Sequence, residues 1–217
     1  MKLIGIDDAG RGPVLGPMIL AGILIEESEE PILKELGAKD SKLLLPPKRK
    51  ILGDKFKKDY SYHIESSTPA EIDESSNLND LEAIKAAKII NKLAKETDEK
   101  IQVIIDCPSV NLETWGDFVK KLVEDKERIT VKVEHKADFN HPVVSAASII
   151  AKERREEEME NLRAELGLDF GSGYPADPKT KEFIKKNYNN AEYSNIIRHS
   201  WATVKKLKKE KNQKSLF

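Results

Sequence analysis

The chain has 217 residues, of which 39% are hydrophobic and 35% are charged, and its 37 basic residues are balanced by 38 acidic ones. This length can build one substantial core, and the balance of charge excludes a uniformly basic nucleic-acid binder. No apolar stretch approaches about 18 residues and no basic region precedes a cleavable apolar segment, so we expect a soluble, cytoplasmic protein. Because Cys107 is the only cysteine, an internal disulfide is excluded.

The first predicted element is a buried strand over residues 2–8, which ends in two adjacent carboxylates, Asp7 and Asp8. Gly10, Arg11 and Gly12 follow in a turn. Glycine lets a backbone approach a ligand closely and arginine offers a charged fork, so this turn can bind a phosphate. Aspartate, glycine and proline also dominate ordinary turns, and the segment alone is equally compatible with a plain strand exit.

The next predicted elements are a strand over residues 18–25, a charged helix over 46–58 and a strand over 60–65. Apolar residues at helical spacing over 78–95 indicate another helix, for which Asn77 is a candidate N-cap.

Two later strands also end in acids. The apolar run 101–105 ends at Asp106, where a nearby proline forbids further pairing, and an alternating strand that starts at Ile129 ends at Asp138. Alternation of strands and helices in this half favours parallel pairing, whereas the first strands look hairpin-connected. We therefore predict an α/β fold with a mixed five-stranded sheet flanked by helices.

The recurrence of acids at strand ends favours a metal site. Asp7, Asp8, Asp106 and Asp138 would repel one another strongly in a low-dielectric site unless divalent cations neutralised them. Carboxylate oxygens suit Mg²⁺ or Mn²⁺, and two such ions can activate a water and stabilise the leaving oxygen in phosphoryl transfer. The sequence therefore predicts phosphodiester chemistry that needs no protein nucleophile.

The remaining chain is predicted to be helical. A helix over 142–167 opens with small residues that permit close packing on the sheet, and helices over 179–188 and 195–209 form a C-terminal appendage whose tryptophan we expect to pack against helices. We divide the chain into a catalytic domain over 1–167 and a helical extension with a basic tail over 168–217.

Six motifs, in this order and at these separations, resemble archaeal ribonuclease HII, the type 2 ribonuclease H: GIDDAGRGPVLGP, KDSK, IIDC, EHKAD, SAASIIAK and FGSGYPADP. The resemblance runs from about residue 3 to residue 201. It implies a ribonuclease H-like fold with a small helical C-terminal extension. It also implies a metal-dependent endoribonuclease that cleaves the RNA strand of RNA–DNA hybrids, and duplex DNA at single ribonucleotides, leaving 3′-hydroxyl and 5′-phosphate ends in primer removal and ribonucleotide repair.

The same resemblance assigns metal-binding roles to the acids. Asp7, Asp106 and Asp138 match three of the family's four carboxylate positions, whereas Asp8 stands where the family usually has glutamate. Losing one methylene shortens the reach by roughly 1.5 Å, against a tolerance of about 0.2 Å in ligand distances. Asp8 could bind through a water, weaken one metal site or be compensated by a backbone shift. The alternative function is an RNA–DNA duplex-binding protein whose catalysis Asp8 impairs.

Substrate-binding residues also follow from the resemblance. Gly10, Arg11 and Gly12 match the element that addresses the 2′-hydroxyl and adjacent phosphate, because an enzyme that finds one ribonucleotide in DNA must read that hydroxyl. Tyr174 matches the tyrosine that packs on the neighbouring sugar, although an aromatic residue there could simply fill a glycine-rich loop. Three lysines within the motifs are candidate phosphate contacts: Lys39, Lys42 and Lys136.

The last residues indicate one further partner. Gln213, Leu216 and Phe217 resemble the start of the peptide by which replication and repair enzymes bind the sliding clamp, although the motif is incomplete and a frayed tail is the alternative. We otherwise expect a monomer whose ligands are RNA–DNA hybrids and ribonucleotide-containing duplex DNA.

Overall fold

The computed structural model describes residues 1–38 and 44–214, with side chains described through residue 211. The chain divides into two compact units. The predicted boundary at residue 167 stays a prediction. Apart from residues 39–43, the first unit comprises Met1–Ala9, Ile19–Glu65 and Asn77–Arg154, and the second comprises Gly10–Met18, Ser66–Ser76 and the described residues from Arg155 onward.

The described strands form one mixed five-stranded sheet, which confirms the predicted α/β class. They are β1 (Lys2–Ala9), β2 (Met18–Glu26), β3 (Ser61–Ser67), β4 (Ile101–Asp106) and β5 (Ile129–Glu134). Their order is β3-β2-β1-β4-β5. β1 pairs antiparallel with β2 and parallel with β4, and β4 pairs parallel with β5. The ends of β1 and β4 therefore meet at one edge of the sheet, as predicted.

The described helices belong partly to the first unit, where they flank the sheet, and partly to the second unit. They are α1 (Glu30–Leu36), α2 (Pro46–Asp59), α3 (Pro69–Glu74), α4 (Leu78–Leu93), α5 (Leu112–Leu122), α6 (Ala137–Asn140), α7 (Pro142–Leu166), α8 (Pro178–Asn187) and α9 (Ala202–Lys214). Asn77 caps α4 as predicted, because its side chain accepts a hydrogen bond from the N–H of Asn79 at 3.0 Å. Among these helices, none is long and apolar enough to cross a membrane.

The core of the first unit depends on close packing of α7 on β1. Gly5 lies in β1, and a Cβ added there would lie 2.4 Å from the carbonyl carbon of Val143 and 2.6 Å from the nitrogen of Val144. The small residues at the start of α7, including Ala146 and Ala147, are fully buried in the same core. Glycine at position 5 therefore lets the first turn of α7 approach the sheet.

The second unit has its own core, which the residues before α9 help to build. Leu15 and Ile197 form a β-bridge, and both side chains are fully buried together with Phe170. The predicted helix over 195–209 is wrong at its start, because α9 begins only at Ala202. The residues just before it form turns, and among them Ile197 pairs with Leu15 instead of continuing a helix.

Candidate active site

Three acids from three elements converge at one end of the sheet. Asp7 lies in β1, Asp106 is the last residue of β4, and Asp138 lies in α6. The predicted strand end at Asp138 is wrong, because β5 ends at Glu134 and a turn through Lys136 leads into the short helix that carries Asp138. Each offers an oxygen, and these three oxygens lie within 4.8 Å of one another. Oxygen ligands gathered at this spacing fit a divalent cation.

Burial and like charge make the Asp7 carboxylate costly without a cation. Asp7 is only 6% exposed. Burial raises the pKa of its carboxyl well above the usual value, and the charges of Asp8 and Asp106 raise it further. The Ser148 hydroxyl and the Asp8 N–H, the latter at 2.8 Å, hydrogen bond to Asp7 and partly offset this rise. A bound cation would stabilise the ionised form.

The start of α6 holds Asp106 and carries Asp138. The Asp106 carboxylate accepts a hydrogen bond from the N–H of Ala137 at 3.0 Å, which joins the end of β4 to the start of α6. Lys136, just before this helix, has a φ of 58°, and Asp138, in its first turn, is 7% exposed. The lysine side chain is exposed, as a phosphate contact requires, although its role stays a prediction.

Asp8 does not belong to the group of three acids within 4.8 Å. It does line a small cavity of about 10 Å³ together with Asp7 and Asp106, which is room for roughly one water. Glu82, on α4, lines the same cavity and is 1% exposed. Sequence reasoning missed this glutamate, although its place on the apolar face of a helix was an available signal.

In the second unit, the predicted turn at residues 10–12 is held by side chains from the C-terminal segment. The carbonyl oxygens of Gly10 and Arg11 accept hydrogen bonds from Arg198 at 2.7 and 3.1 Å, and that of Gly12 accepts one from Trp201 at 3.1 Å. Sequence reasoning missed Arg198 and assigned Trp201 only to helix packing. No local pattern marks these contacts, since about 190 residues separate the partners.

Gly10 has a second constraint. Its φ is +88°, which favours glycine, and an added Cβ would lie 2.4 Å from the Cδ and Nε atoms of Arg155. Arg155 is a buried arginine that sequence reasoning also missed. Its guanidinium lies 5.4 Å from the ring centroid of Tyr174 and donates a hydrogen bond to the Ser172 carbonyl at 3.3 Å.

The glycine-rich loop that carries Tyr174 is held by hydrogen bonds to side chains that follow it in the sequence. The Asp177 carboxylate accepts from the N–H of Ser172 at 2.7 Å, and the Thr180 hydroxyl accepts from the N–H of Gly173 at 3.0 Å. Tyr174 itself is 44% exposed, whereas a ring that only filled the loop would be buried. The ring is therefore available to a ligand, and its contact with a sugar stays a prediction.

Some predicted residues cannot be placed. Lys39 and Lys42, the candidate phosphate contacts of the KDSK motif, lie outside the described residues. So do Leu216 and Phe217 of the candidate clamp-binding tail, and the side chain of Gln213 is not described.

The family is decided by comparison with known sequences. A sequence model of ribonuclease HII matches residues 4–204. The chain belongs to the ribonuclease HII family. The ribonuclease HII of Methanosarcina barkeri is 40% identical over 221 residues, covering 97% of this chain and 96% of the relative. That of Thermococcus sibiricus is 41% identical, covering 100% of this chain and 97% of the relative.

Solved structures agree with this membership. The ribonuclease H2 of Pyrococcus horikoshii OT3 superposes with a TM-score of 0.84 at 38% identity, covering 97% of this chain and 98% of that one. The ribonuclease HII of Archaeoglobus fulgidus, solved as a complex with PCNA, gives 0.81 at 34% identity and covers 93% and 95%. The predicted ribonuclease H-like fold is confirmed, and this ribonuclease HII is a hydrolytic nuclease.

Proposed function

We propose that this ribonuclease HII cleaves the RNA strand of RNA–DNA hybrids, and duplex DNA at single ribonucleotides, leaving 3′-hydroxyl and 5′-phosphate ends. The observation that carries the proposal is the convergence of Asp7, Asp106 and Asp138, whose oxygens lie within 4.8 Å of one another. Acids arranged in this way in a hydrolytic nuclease fit metal-dependent phosphodiester cleavage. No described residue and no relative favours the alternative of a duplex-binding protein without catalysis.

We assign metal binding and catalysis to Asp7, Asp106 and Asp138, with Asp8 acting from the adjoining cavity. The chemistry that Mg²⁺ or Mn²⁺ supplies when bound is activation of a water and stabilisation of the leaving oxygen. The chain's own contribution is orientation, because hydrogen bonds from Ser148 and from two backbone N–H groups hold the carboxylates in place before any cation arrives. These carboxylates therefore need little reorganisation when a cation binds.

We assign substrate binding to Gly10, Arg11, Gly12 and Tyr174. Gly12 is exposed, and a Cβ added to it would lie 3.6 Å from a ring carbon of Tyr174, so the turn and the ring lie side by side in the second unit. A backbone donor beside an aromatic ring suits a ribose, which offers a 2′-hydroxyl and an apolar sugar face. The proposed phosphate contacts are three lysines: Lys39, Lys42 and Lys136.

The deciding experiment is cleavage of a labelled DNA duplex that carries one ribonucleotide, with Mg²⁺, Mn²⁺ and chelator run in parallel. We expect metal-dependent cutting on the 5′ side of the ribonucleotide and none in an all-DNA duplex. Asp7→Asn should abolish cutting, whereas Asp117→Asn, at an exposed aspartate of α5, should not. Binding of the duplex without cutting in either metal would overturn the proposal.

We also propose that the C-terminal tail binds the sliding clamp, and that the enzyme acts in primer removal and ribonucleotide repair. Support comes from the tail residues Gln213, Leu216 and Phe217 and from the Archaeoglobus fulgidus relative, which was solved as a complex with PCNA. A peptide of residues 205–217 should bind the clamp in a titration where a complete clamp-binding motif also binds. If only the complete motif binds, the tail has no such role.

A further inference from the structure

Arg198 is fully buried, and its guanidinium donates hydrogen bonds to three carbonyl oxygens of the segment at residues 10–16. Nη2 donates to the oxygen of Gly10 at 2.7 Å, Nη1 to that of Arg11 at 3.1 Å, and Nε to that of Gly16 at 2.9 Å. A planar fork can hold three acceptors at fixed angles, which an ammonium group cannot do. One side chain therefore fixes both ends of this segment.

Trp201 extends the same arrangement by one residue. Its indole N–H donates to the carbonyl oxygen of Gly12 at 3.1 Å, and the Arg198 guanidinium lies 4.9 Å from the centroid of its ring. This guanidinium position favours a cation–π contact, which helps to orient both side chains. Carbonyl oxygens of Gly10, Arg11 and Gly12 are thus all engaged by a stacked pair from the C-terminal segment.

Peptide geometry dictates what these contacts do to the N–H groups. In a planar trans peptide the carbonyl of one residue and the N–H of the next point in opposite directions, and the described residues contain no cis peptide. Carbonyls of Gly10 and Arg11 directed at Arg198 therefore direct the N–H groups of Arg11 and Gly12 away from it. The row of donors ends there, because Pro13 has no N–H.

The charge of Arg198 also changes the strength of these donors. A cation bound to a peptide oxygen polarises the peptide, and hydrogen bonds in series strengthen one another. Two adjacent N–H groups that point the same way form a small concavity for an electronegative atom. Gly12 is exposed and lies beside the Tyr174 ring.

We propose that Arg198 and Trp201 are positioning residues for ribonucleotide selection. Arg198 orients and polarises the N–H groups of Arg11 and Gly12 toward the ribose 2′-oxygen, and Trp201 holds the Gly12 carbonyl and so fixes the end of the turn that carries these groups. This inference rests on the proposed function, since it concerns selection by the same site. Neither side chain contacts substrate in this assignment. Their effect is on the recognition of ribose and not on the hydrolytic step.

The test uses the full-length enzyme carrying Arg198→Lys or Trp201→Phe, with Arg128→Lys as the matched control. Arg128 also donates to two main-chain carbonyls, those of Thr97 at 2.8 Å and Glu99 at 3.1 Å, but in the first unit near the start of β4. For each variant, kcat and KM are measured on a duplex with one ribonucleotide. The inhibition constant of the same duplex made entirely of DNA is measured beside them.

We expect KM to rise about tenfold in Arg198→Lys and about threefold in Trp201→Phe, as the loss of hydrogen bonds of ordinary strength predicts. The inhibition constant of the DNA duplex should stay unchanged, and Arg128→Lys should match the wild type in all three constants. A purely structural role would lower kcat through loss of folded enzyme while KM stayed the same.

If both variants keep the wild-type ratio of KM to the DNA inhibition constant, the inference is wrong. Should Arg198→Lys fail to fold, Trp201→Phe decides alone, because phenylalanine keeps the ring and removes only the N–H. A wild-type enzyme that does not cut at the ribonucleotide would instead refute the proposed function, so the two failures are distinguishable.

Discussion

Replacing Gly5 by alanine should damage both stability and activity. The added Cβ would lie 2.4 Å from the carbonyl carbon and oxygen of Val143, whereas carbon atoms in contact are normally about 3.5–4.0 Å apart. Both atoms belong to the backbone of α7, so no side-chain rotation relieves the clash. The helix must move by about 1 Å or more.

Overpacking of this kind costs about 1–3 kcal/mol, and the smaller entropy of the unfolded alanine chain offsets about 0.4–1 kcal/mol. A net loss of about 1–2 kcal/mol in the free energy of unfolding corresponds to a fall of roughly 2–8 °C in Tm for a chain of this size. Gly53→Ala is the matched control. Its Cβ would meet the flexible Glu153 side chain at 2.9 Å, and alanine favours the α2 helix.

Activity should fall as well, because α6 and α7 are joined by hydrogen bonds through His141 and α6 carries Asp138. A displacement of about 1 Å can cost up to about 100-fold in rate. Differential scanning calorimetry and single-turnover cleavage measure the two effects. If the Tm of Gly5→Ala equals that of Gly53→Ala, the close approach of α7 to β1 does not have the energetic importance inferred from it.

Three further predictions concern charged groups. Asp7→Asn should abolish the stabilisation by Mg²⁺ in thermal unfolding but raise the metal-free Tm at pH 7. Burial and like charge raise the pKa of Asp7, so its ionised form is unfavourable in the folded protein at that pH. A lower metal-free Tm in the variant would contradict this. Asp8→Glu should raise the Mg²⁺-supported rate more than the Mn²⁺-supported rate, and equal rates for both proteins in both metals would show that the shorter side chain is adequate. Hydrogen bonds from Ser172 lower the pKa of Asp177 from 3.8 to about 2, so its ionised form stabilises the fold. The Tm advantage of wild type over Asp177→Asn should therefore be full above about pH 5 and disappear as pH falls through about 2, whereas a difference that persists at lower pH would exclude this linkage.

The sequence predicted the sheet and the acidic group because both depend on short-range patterns. The strands that carry Asp7 and Asp106 near their ends can be predicted from their apolar runs. Because β1 and β4 pair in parallel, these ends lie together. Asp138 was predicted at a strand end but lies in α6, beyond the end of β5. Strand direction alone therefore accounts for the approach of Asp7 and Asp106, whereas Asp138 reaches them through the turn after β5.

The support around the 10–16 segment could not be predicted in the same way. Residues 195–201 have helical spacing, yet Ile197 pairs with Leu15 and the residues around it form turns. Tertiary context overrode local propensity there. The role of Arg198 could not be predicted for a related reason, since an arginine is most often a surface residue and the partners that bury this one are distant in sequence.

The sequence separation of 188 between Gly10 and Arg198 also has a consequence for biosynthesis. Closing so long a loop is entropically unfavourable and raises contact order, which slows folding. On a ribosome, the strands and acids of the first unit are complete well before Arg198 emerges. We therefore expect a nascent chain to assemble its sheet first and to order the 10–16 segment only after Arg198 has emerged, so that any selectivity for ribose is acquired later than the sheet.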